Sequence, residues 1–294
     1  MQIPPPSAVR CRITASISRK CFTAAGAVSA AAFLRRGENA MRKKGQPIRV
    51  WAVVFWLIVW QLAAMALRAA YPHGALLLAS PLAALRRLFV LAGTAAFWQT
   101  VGISAAHILG GALVSCTLAV LLAALSARFR RAEELLAPLA AAVKAVPVAS
   151  FIILALVWLP SRSLAFFISA LMVFPPVYCN VLEGIRSTDR ALLEMARVFR
   201  VPLSRTLRGI YLPQVLPYFR SAASVALGLC WKAGTAAEVI AVSGGTIGER
   251  LYNAKVYFQT PDLFAWTAVI VLISAAFERI FLCAVDRLAE RMGV

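Results

Sequence analysis

Acidic residues and histidines are scarce in this sequence of 294 residues. It has 12 Asp and Glu and two His, and all charged residues together make up only 15% of the chain. A soluble domain usually carries about 25% charge. The isolated His73 and His107 and the scattered acids cannot supply the facing cluster that a metal site or a membrane-embedded enzyme needs. The sequence therefore predicts no metal site and no catalytic centre.

Paired cysteines and phosphate-binding loops are also missing. None of the six cysteines belongs to a CxxC motif, and the last four lie in apolar segments, where cysteine behaves as a small apolar residue. No GxxxxGK[ST] pattern is present, and Gly244-Gly245-Thr246-Ile247-Gly248 has no lysine after it. We therefore expect neither a disulfide framework nor a nucleotide site in this chain.

Apolar residues, in contrast, make up 61% of the chain, and its mean hydropathy is +0.78. This composition is typical of a membrane protein. Apolar segments long enough to span a bilayer recur along the chain. They predict an all-α polytopic protein with about six transmembrane helices, at residues 50–70, 100–125, 135–159, 164–182, 215–242 and 263–284. A shorter amphipathic run, residues 81–91, starts after Ser80 and predicts a helix that lies in the outer membrane interface.

The net charge of +19 comes from Lys and Arg that lie mostly in alternate connections between these segments. Such an asymmetry places the basic connections in the cytoplasm. It argues against nucleic acid as the partner and favours a bacterial inner-membrane protein with both termini cytoplasmic. Pro147 lies within the third segment and predicts a kink there.

Residues 1–48 differ from the rest and predict a basic N-terminal extension, ahead of a transmembrane domain at 49–294. They contain Pro4-Pro5-Pro6, scattered Arg and Ser, and a single acid, Glu38. One interpretation is a targeting segment. We favour a translation start at Met41, because a basic cap followed by a spanning helix is typical of inner-membrane proteins.

The longest basic connection, which we call the basic loop (residues 186–213), carries a recognisable spacing. Its part from Glu194 to Pro213 reads EMARVFRVPLSRTLRGIYLP. Glu-x-Ala and, further on, Ile-x-Leu-Pro resemble the cytoplasmic loop of permease subunits of bacterial ABC importers. Glu194, Ala196, Ile210, Leu212 and Pro213 occupy the matching positions. Met195 stands where that family most often has Ala, and Arg200 where it most often has Gly, which leaves the turn after the loop's helix in doubt.

The resemblance continues outside the basic loop. Ser80-Pro81, Trp98-Gln99 and the sequence LCWKAGTAAEVI in the fifth segment are similar to the nitrate, taurine and sulfonate branch of these permeases. The resemblance implies a pair of permease subunits that work with two cytoplasmic ATPases and an external or lipid-anchored solute-binding protein. ATP would be bound by the ATPases, so no cofactor is expected on this chain. The loop's short helix would dock into a groove of the ATPase and couple to it.

The residues of the basic loop agree with a short docking helix over residues 188–201. Thr188 is a candidate N-cap, and Asp189 and Glu194 place negative charge near the helix start. Leu192, Leu193, Met195 and Ala196 form an apolar stripe, with Arg197 and Arg200 beside it. The alternative is a basic helix that lies on anionic lipid.

Ionisable residues inside predicted spans are candidates for the solute path, since they are expensive there. Lys144 and Lys232 are such residues, and two lysines near a path would suit an anion. Pro147 could flex at a gate, and Glu238 could line the path or pair with Lys232. A secondary transporter or channel is the alternative class, although the two halves of the chain show no symmetry of the kind that many such proteins have.

Overall fold

The structure of the protein is a computed structural model that describes residues 50–71 and 74–291. Within these residues every regular element is helical, which confirms the predicted all-α class. The N-terminal extension lies outside the described residues. The helices in chain order are α1 (Val50–Ala70), α2 (Gly74–Leu77), α3 (Pro81–Ala92), α4 (Ala95–Arg128), α5 (Arg130–Ala145), α6 (Val148–Leu156), α7 (Ser161–Arg186), α8 (Arg190–Val198), α9 (Leu203–Thr206), α10 (Leu212–Ala241), α11 (Ile247–Val256) and α12 (Thr260–Arg291). A π-helical turn, Leu207–Tyr211, joins α9 to α10.

Four single helices of the described chain are long and apolar enough to cross a membrane: α1, α4, α7 and α12. The pair α5 and α6 qualifies as a fifth span that is broken in the middle. Helix α10 has 30 residues and is therefore about 45 Å long. This is enough for a 30 Å core, but α10 carries Lys232 and Glu238 and is not among the helices that qualify as spans. The full count of six spans stays a prediction.

The contacts between the long helices establish their relative directions. A Cβ on Gly111 would meet Phe166, and the hydroxyl of Tyr178 donates a hydrogen bond to Ser126 Oγ at 2.9 Å. Helices α4 and α7 therefore run parallel, so the chain must cross back between them, and α5 with α6 makes that return. Helix α10 runs antiparallel to both: its Gly234 packs against Ile108 and Ser169, its earlier Tyr218 packs against the later Gly184, and its later Glu238 bonds to the earlier Ser104.

The core lies where α4, α7 and α10 meet, and Ile108, Val177 and Trp231 are fully buried there. Small residues allow this close approach, as the glycines of the second apolar segment predict. A Cβ on Gly111 would lie 2.2 Å from the carbonyl oxygen of Phe166, so only glycine fits. A Cβ on Gly102 would meet nothing within 4 Å.

The predicted kink at Pro147 is larger than expected, because the helix breaks there. Val146 has extended backbone angles, and α5 and α6 meet at 104°. Proline removes the amide hydrogen that would continue the helix and clashes with the preceding turn. Both halves stay packed against the bundle, since Val143 of α5 and Ile152 of α6 are buried in one apolar cluster with Ile168 of α7.

The interfacial position of the helix predicted after Ser80 stays a prediction, but the helix itself is present as α3. Ser80 Oγ caps it by accepting a hydrogen bond from the amide of Ala83 at 3.3 Å. Arg87 donates hydrogen bonds to both carboxylate oxygens of Asp262 on α12, at 2.5 and 3.0 Å. These hydrogen bonds raise the pKa of Arg87 above its ordinary value. Helix α3 is thus fixed to the end of the molecule where α11 also lies, and we call this the α11 end.

Candidate coupling loop and solute path

The basic loop contains the predicted short helix as α8, and its N-cap is Asp189. The Asp189 carboxylate accepts a hydrogen bond from the amide of Ala191 at 2.9 Å. The prediction of Thr188 as the cap is wrong, because its hydroxyl is buried and donates to the carbonyl of Gly184. The amide of Asp189 also donates to Gln214 Oε1 at 2.9 Å, which ties the start of α8 to the start of α10.

The apolar side chains of α8 divide between two faces. Ala196 is buried and Leu193 is half-buried, so this face attaches the helix to the rest of the molecule. Leu192 and Met195 are exposed, and Phe199 just after the helix is 74% exposed. Spacings of three and four residues place these three side chains on one side of a helix. We call them the apolar ridge of α8; Glu194 is exposed beside it.

The turn after α8 adopts the geometry that glycine prefers, although Arg200 occupies it. Arg200 has a φ of +50°, in the left-handed region. Its amide donates to the carbonyl of Arg197, and the amide of Val201 donates to the carbonyl of Ala196 at 2.9 Å. These two bonds form a Schellman motif, which commonly ends a helix with glycine at this position. The turn that the departure from the family pattern put in doubt is therefore formed with arginine.

The return from α8 to the bundle runs through α9, the π-turn and the start of α10. Ile210, Leu212 and Pro213, the C-terminal part of the sequence pattern, are all half-buried. Proline at position 213 lacks an amide hydrogen, so an α-helical hydrogen bond to the carbonyl of Gly209 cannot form. The π-turn lies just ahead of this point, where it accommodates the missing bond.

Glu238 is fully buried and joins three helices. Its Oε2 accepts hydrogen bonds from Ser104 Oγ on α4 at 2.8 Å and from the amide of Gly248 on α11 at 3.2 Å. Ser104 Oγ in turn accepts from the amide of Ile247 at 2.8 Å. The carboxylate and Ser104 Oγ thus satisfy one free amide each at the start of α11, where helix polarity also favours negative charge.

Lys232 does not use Glu238 as its partner, contrary to the pairing that the sequence suggested. Its side chain is exposed on the face of α10 that also carries the exposed Val225 and Leu229. Within the described residues Lys232 forms no ion pair. A role for Lys232 or Glu238 in the solute path stays a prediction.

Lys144 lies at the other end of the molecule from Glu238, near the start of the break at Pro147. Its Nζ donates to Cys179 Sγ on α7 at 3.2 Å. It lines a cavity of about 290 Å³ that is also bordered by Glu133 and Arg186, which form an ion pair. The structure therefore places Lys144 against α7 and Lys232 on the exposed face of α10, and it does not bring the two lysines together in one site.

Ser104 and Gly248 are the residues that sequence reasoning missed. They lie 134 and 10 positions from Glu238, and a lone serine in an apolar segment carries no signal by itself. Gly248 had a weak signal, since a glycine at a helix start can mark a close approach. A Cβ there would lie 2.2 Å from Glu238 Cβ. No group of three or more potential metal ligands occurs among the described residues.

Comparisons with known proteins identify the family of this chain. Residues 115–294, more than half of the chain, match the family model described as binding-protein-dependent transport system inner membrane component. A probable ABC transporter permease protein of Brucella melitensis is 26% identical over 218 residues, which cover 74% of this chain and 88% of that protein. The riboflavin transport system permease protein of Chloroflexus aurantiacus is 30% identical over 222 residues, covering 74% and 80% respectively. A putative aliphatic sulfonates transport permease protein of Escherichia coli is 30% identical over 185 residues, covering 63% and 70%.

The expected resemblance to ABC importer permeases is thereby confirmed. The family match includes the core helices α7 and α10, the whole basic loop and helix α11. The chain belongs to the family of inner membrane components of binding-protein-dependent transport systems, and it is a multi-pass ABC transporter permease.

Proposed function

We propose that this chain forms the membrane path of an ATP-driven importer and that its basic loop transmits the action of a separate cytoplasmic ATPase. The apolar ridge of α8 carries this proposal. Leu192, Met195 and Phe199 are exposed on a helix whose other face is anchored, and the surrounding loop is strongly basic. An amphipathic helix that lays apolar side chains into a groove is a recurring mode of protein recognition.

The connections of the basic loop suit a mechanical role. Asp189 is bonded to Gln214, and the π-turn leads without a break into α10. Helix α10 then continues for 30 residues to the α11 end, where Glu238 holds the start of α11. A displacement of α8 would therefore be carried along α10, since a helix is much stiffer than a loop. The ATPase would shift the balance between an inward-open and an outward-open state only through its different affinity for these two states.

The remaining partners follow from the family. Two copies of a permease would enclose the path, two ATPases would bind at the basic loops, and a solute-binding protein would deliver the solute at the α11 end. The basic connections favour a cytoplasmic position for the loop and for both termini. The energy source is assigned to the ATPase, because this sequence has no phosphate-binding loop.

We further propose a small anion as the solute. Two relatives are named as transport permease proteins for aliphatic sulfonates and for bicarbonate, both of which are anions. Lys232 on the exposed face of α10 would attract such a solute. Another relative is named for riboflavin, so membership of this family does not by itself identify the solute.

The test is co-purification of the chain with its candidate ATPase in mild detergent. The variant Met195→Ala with Phe199→Ala removes two exposed side chains of the apolar ridge. The matched control is Leu135→Ala with Leu139→Ala, which removes two exposed apolar side chains at the same spacing on α5. We expect the ridge variant to retain at least about tenfold less ATPase, since two apolar anchors are lost.

Equal retention by both variants would overturn the coupling role of the ridge. A natural, folded chain that retains no ATPase and takes up solute without ATP would instead support a secondary transporter or channel. Equal loss in both variants would show a general effect of truncating apolar surface and would also count against the proposal.

A further inference from the structure

The side of α11 that is turned away from the bundle takes no part in the basic loop or in the candidate path. Ile247 and Ala254 are buried and attach the helix to its neighbours. Tyr252, Lys255 and Val256 are exposed, and spacings of three and four residues place them together on the other side of the helix. We call these three residues the outer face of α11.

The turn that follows α11 adds two large aromatic side chains to this surface. Tyr257 and Phe258 are each 70% exposed. Phe258 has a φ of +54°, and the amide of Gln259 donates to the carbonyl of Ala254 at 2.8 Å. Glycine adopts this conformation without strain, whereas phenylalanine adopts it only at a cost. An aromatic ring at an exposed turn that would suit glycine indicates a use for the ring outside the core of the chain.

The α11 end carries more positive charge than its own acids neutralise. Glu249 accepts a hydrogen bond from the amide of Gly245 at 2.6 Å, and Asp262 is paired with Arg87. Among the residues that the structure describes, three exposed cations of this end form no ion pair: Arg86, Arg250 and Lys255. Such an excess of positive charge attracts an acidic protein surface and speeds its approach.

The outer face of α11 suits a protein partner better than lipid. Helix α3, at the same end of the molecule, exposes Leu82, Leu85 and Phe89, which is the kind of surface that faces the hydrocarbon. Helix α11 has only ten residues, and it lies in the connection between the fifth and sixth predicted spans. Its outer face combines a lysine with exposed aromatic residues, and aromatic side chains are enriched at the centres of protein interfaces.

Helix α11 is also bonded directly to the core. The amide of Ile247 donates to Ser104 Oγ on α4, and the amide of Gly248 donates to Glu238 on α10. A partner that binds the outer face therefore contacts an element whose first turn is held by two of the core helices. One of these, α10, leads to the basic loop.

We propose that the outer face of α11, together with Tyr257 and Phe258, is the surface on which an acidic patch of the solute-binding protein docks. This inference rests on the proposed function, which assigns delivery of the solute to the α11 end. The family model describes a binding-protein-dependent system, so a partner of this kind is expected. Lys255 pairs with a carboxylate of that partner, and the aromatic side chains and Val256 are covered by the contact.

The test is binding of the purified candidate solute-binding protein to the chain assembled with its candidate ATPase in phosphatidylcholine nanodiscs, measured by surface plasmon resonance. Tyr252→Ala with Val256→Ala should weaken binding at least about tenfold, since two contacts at the centre of the interface are lost. The matched control, Leu85→Ala with Phe89→Ala, removes two exposed apolar side chains at the same spacing on α3. It should leave binding unchanged.

A charge reversal tests the electrostatic part of the proposal. Lys255→Glu should slow association and weaken binding about tenfold, because it places like charges in contact. Association of the natural complex should become slower as the salt concentration rises, since ions screen the attraction. Arg86→Glu, at an exposed position on α3 at the same end, is the matched control and should have a smaller effect.

Several outcomes would overturn this docking surface. These are unchanged binding by the outer-face variants, an equal loss in the outer-face and control variants, and a natural complex that does not bind the solute-binding protein. Retention of the ATPase, measured on the same samples, reports separately on the proposed function. The two failures can therefore be distinguished.

A second measurement covers the case in which the double variant does not fold. Tyr252→Cys, in a background without native cysteines, is labelled with an environment-sensitive fluorophore. A blue shift of its emission when the solute-binding protein is added supports the proposal. Emission that already reports an apolar environment before the addition would place the outer face in the lipid interface and would overturn it.

Discussion

Single residues in the left-handed backbone region mark the ends of three helices in the described chain. Arg200, Val242 and Phe258 have φ values of +50°, +47° and +54°. In each case the amide of the next residue donates to the carbonyl five positions before it, at distances of 2.8 to 3.2 Å. Such conformations cost a non-glycine residue about 1–3 kcal/mol, so surrounding contacts must compensate. At position 200 helix α8 is thus ended by a less favourable residue than the glycine of the family pattern.

Arg200→Gly should stabilise the basic loop by about 1 kcal/mol, because glycine adopts a positive φ without strain. Arg197→Gly is the control and should destabilise it by about the same amount, since it lies inside α8. Hydrogen exchange of the amides in residues 191–201 measures both effects. Slower exchange in Arg200→Gly and faster exchange in Arg197→Gly is the expected pair of results; the same direction in both would contradict the account.

At the scale of elements, packing between α4 and α7 depends on how closely their backbones approach. Ser115 Oγ donates to the carbonyl of Ala170 at 2.6 Å, and Ala112 and Val173 are buried in the same core. Gly111 lies on this packed face, whereas Gly102 faces open space. Of these two glycines in α4, only Gly111 is needed for close packing, and the sequence alone does not distinguish them.

Gly111→Ala should destabilise the protein by about 1–3 kcal/mol, because the new methyl group overlaps the carbonyl of Phe166 and forces the helices apart. Gly102→Ala should leave stability unchanged or raise it by up to about 1 kcal/mol, since alanine favours the helix. Thermal unfolding of both variants in the same detergent is the measurement. A Gly111→Ala variant as stable as Gly102→Ala would show that the close approach is not required.

At the scale of the whole molecule, the exposed face of α10 is the surface that we expect to take part in a solute path. Ser221, Val225, Leu229 and Lys232 recur on this face at helical spacing, and all are exposed in the single chain. A lysine on a surface that faced only lipid would be costly. We therefore expect this face to border water or a second copy of the chain.

Lys232→Cys, in a background without native cysteines, should react with a charged methanethiosulfonate reagent. Leu121→Cys on the exposed apolar face of α4 should react at least about tenfold more slowly, because a thiol in lipid stays protonated and out of reach. Labelling of intact assembled complexes, followed by mass spectrometry, measures both rates. Equal, slow labelling of the two positions would place Lys232 outside any aqueous path.

The sequence by itself determined the class of the protein and the position of its basic loop. These features depend on composition, apolar segment length and local spacing, all of which can be seen along the chain, as in the pattern from Glu194 to Pro213. It also located the helix after Ser80, because a cap and a proline act within one turn. The sequence also showed that Arg200 stands where the family pattern has glycine, so that an arginine would have to adopt a backbone conformation that glycine prefers.

Only the tertiary structure decided which polar residues meet. Glu238 pairs with Ser104 and Gly248 rather than with Lys232, since helices α4, α10 and α11 converge at that point. Thr188 faces Gly184 and leaves the cap to Asp189. A polar cavity lined by Arg87, Arg250 and Asp262 lies between α3, α4, α11 and α12. Pro147 breaks the predicted third span into α5 and α6, which meet at 104°. Each of these outcomes depends on how the helices are rotated and on which distant segments touch. Local periodicity along the sequence specifies neither the rotation nor the contacts.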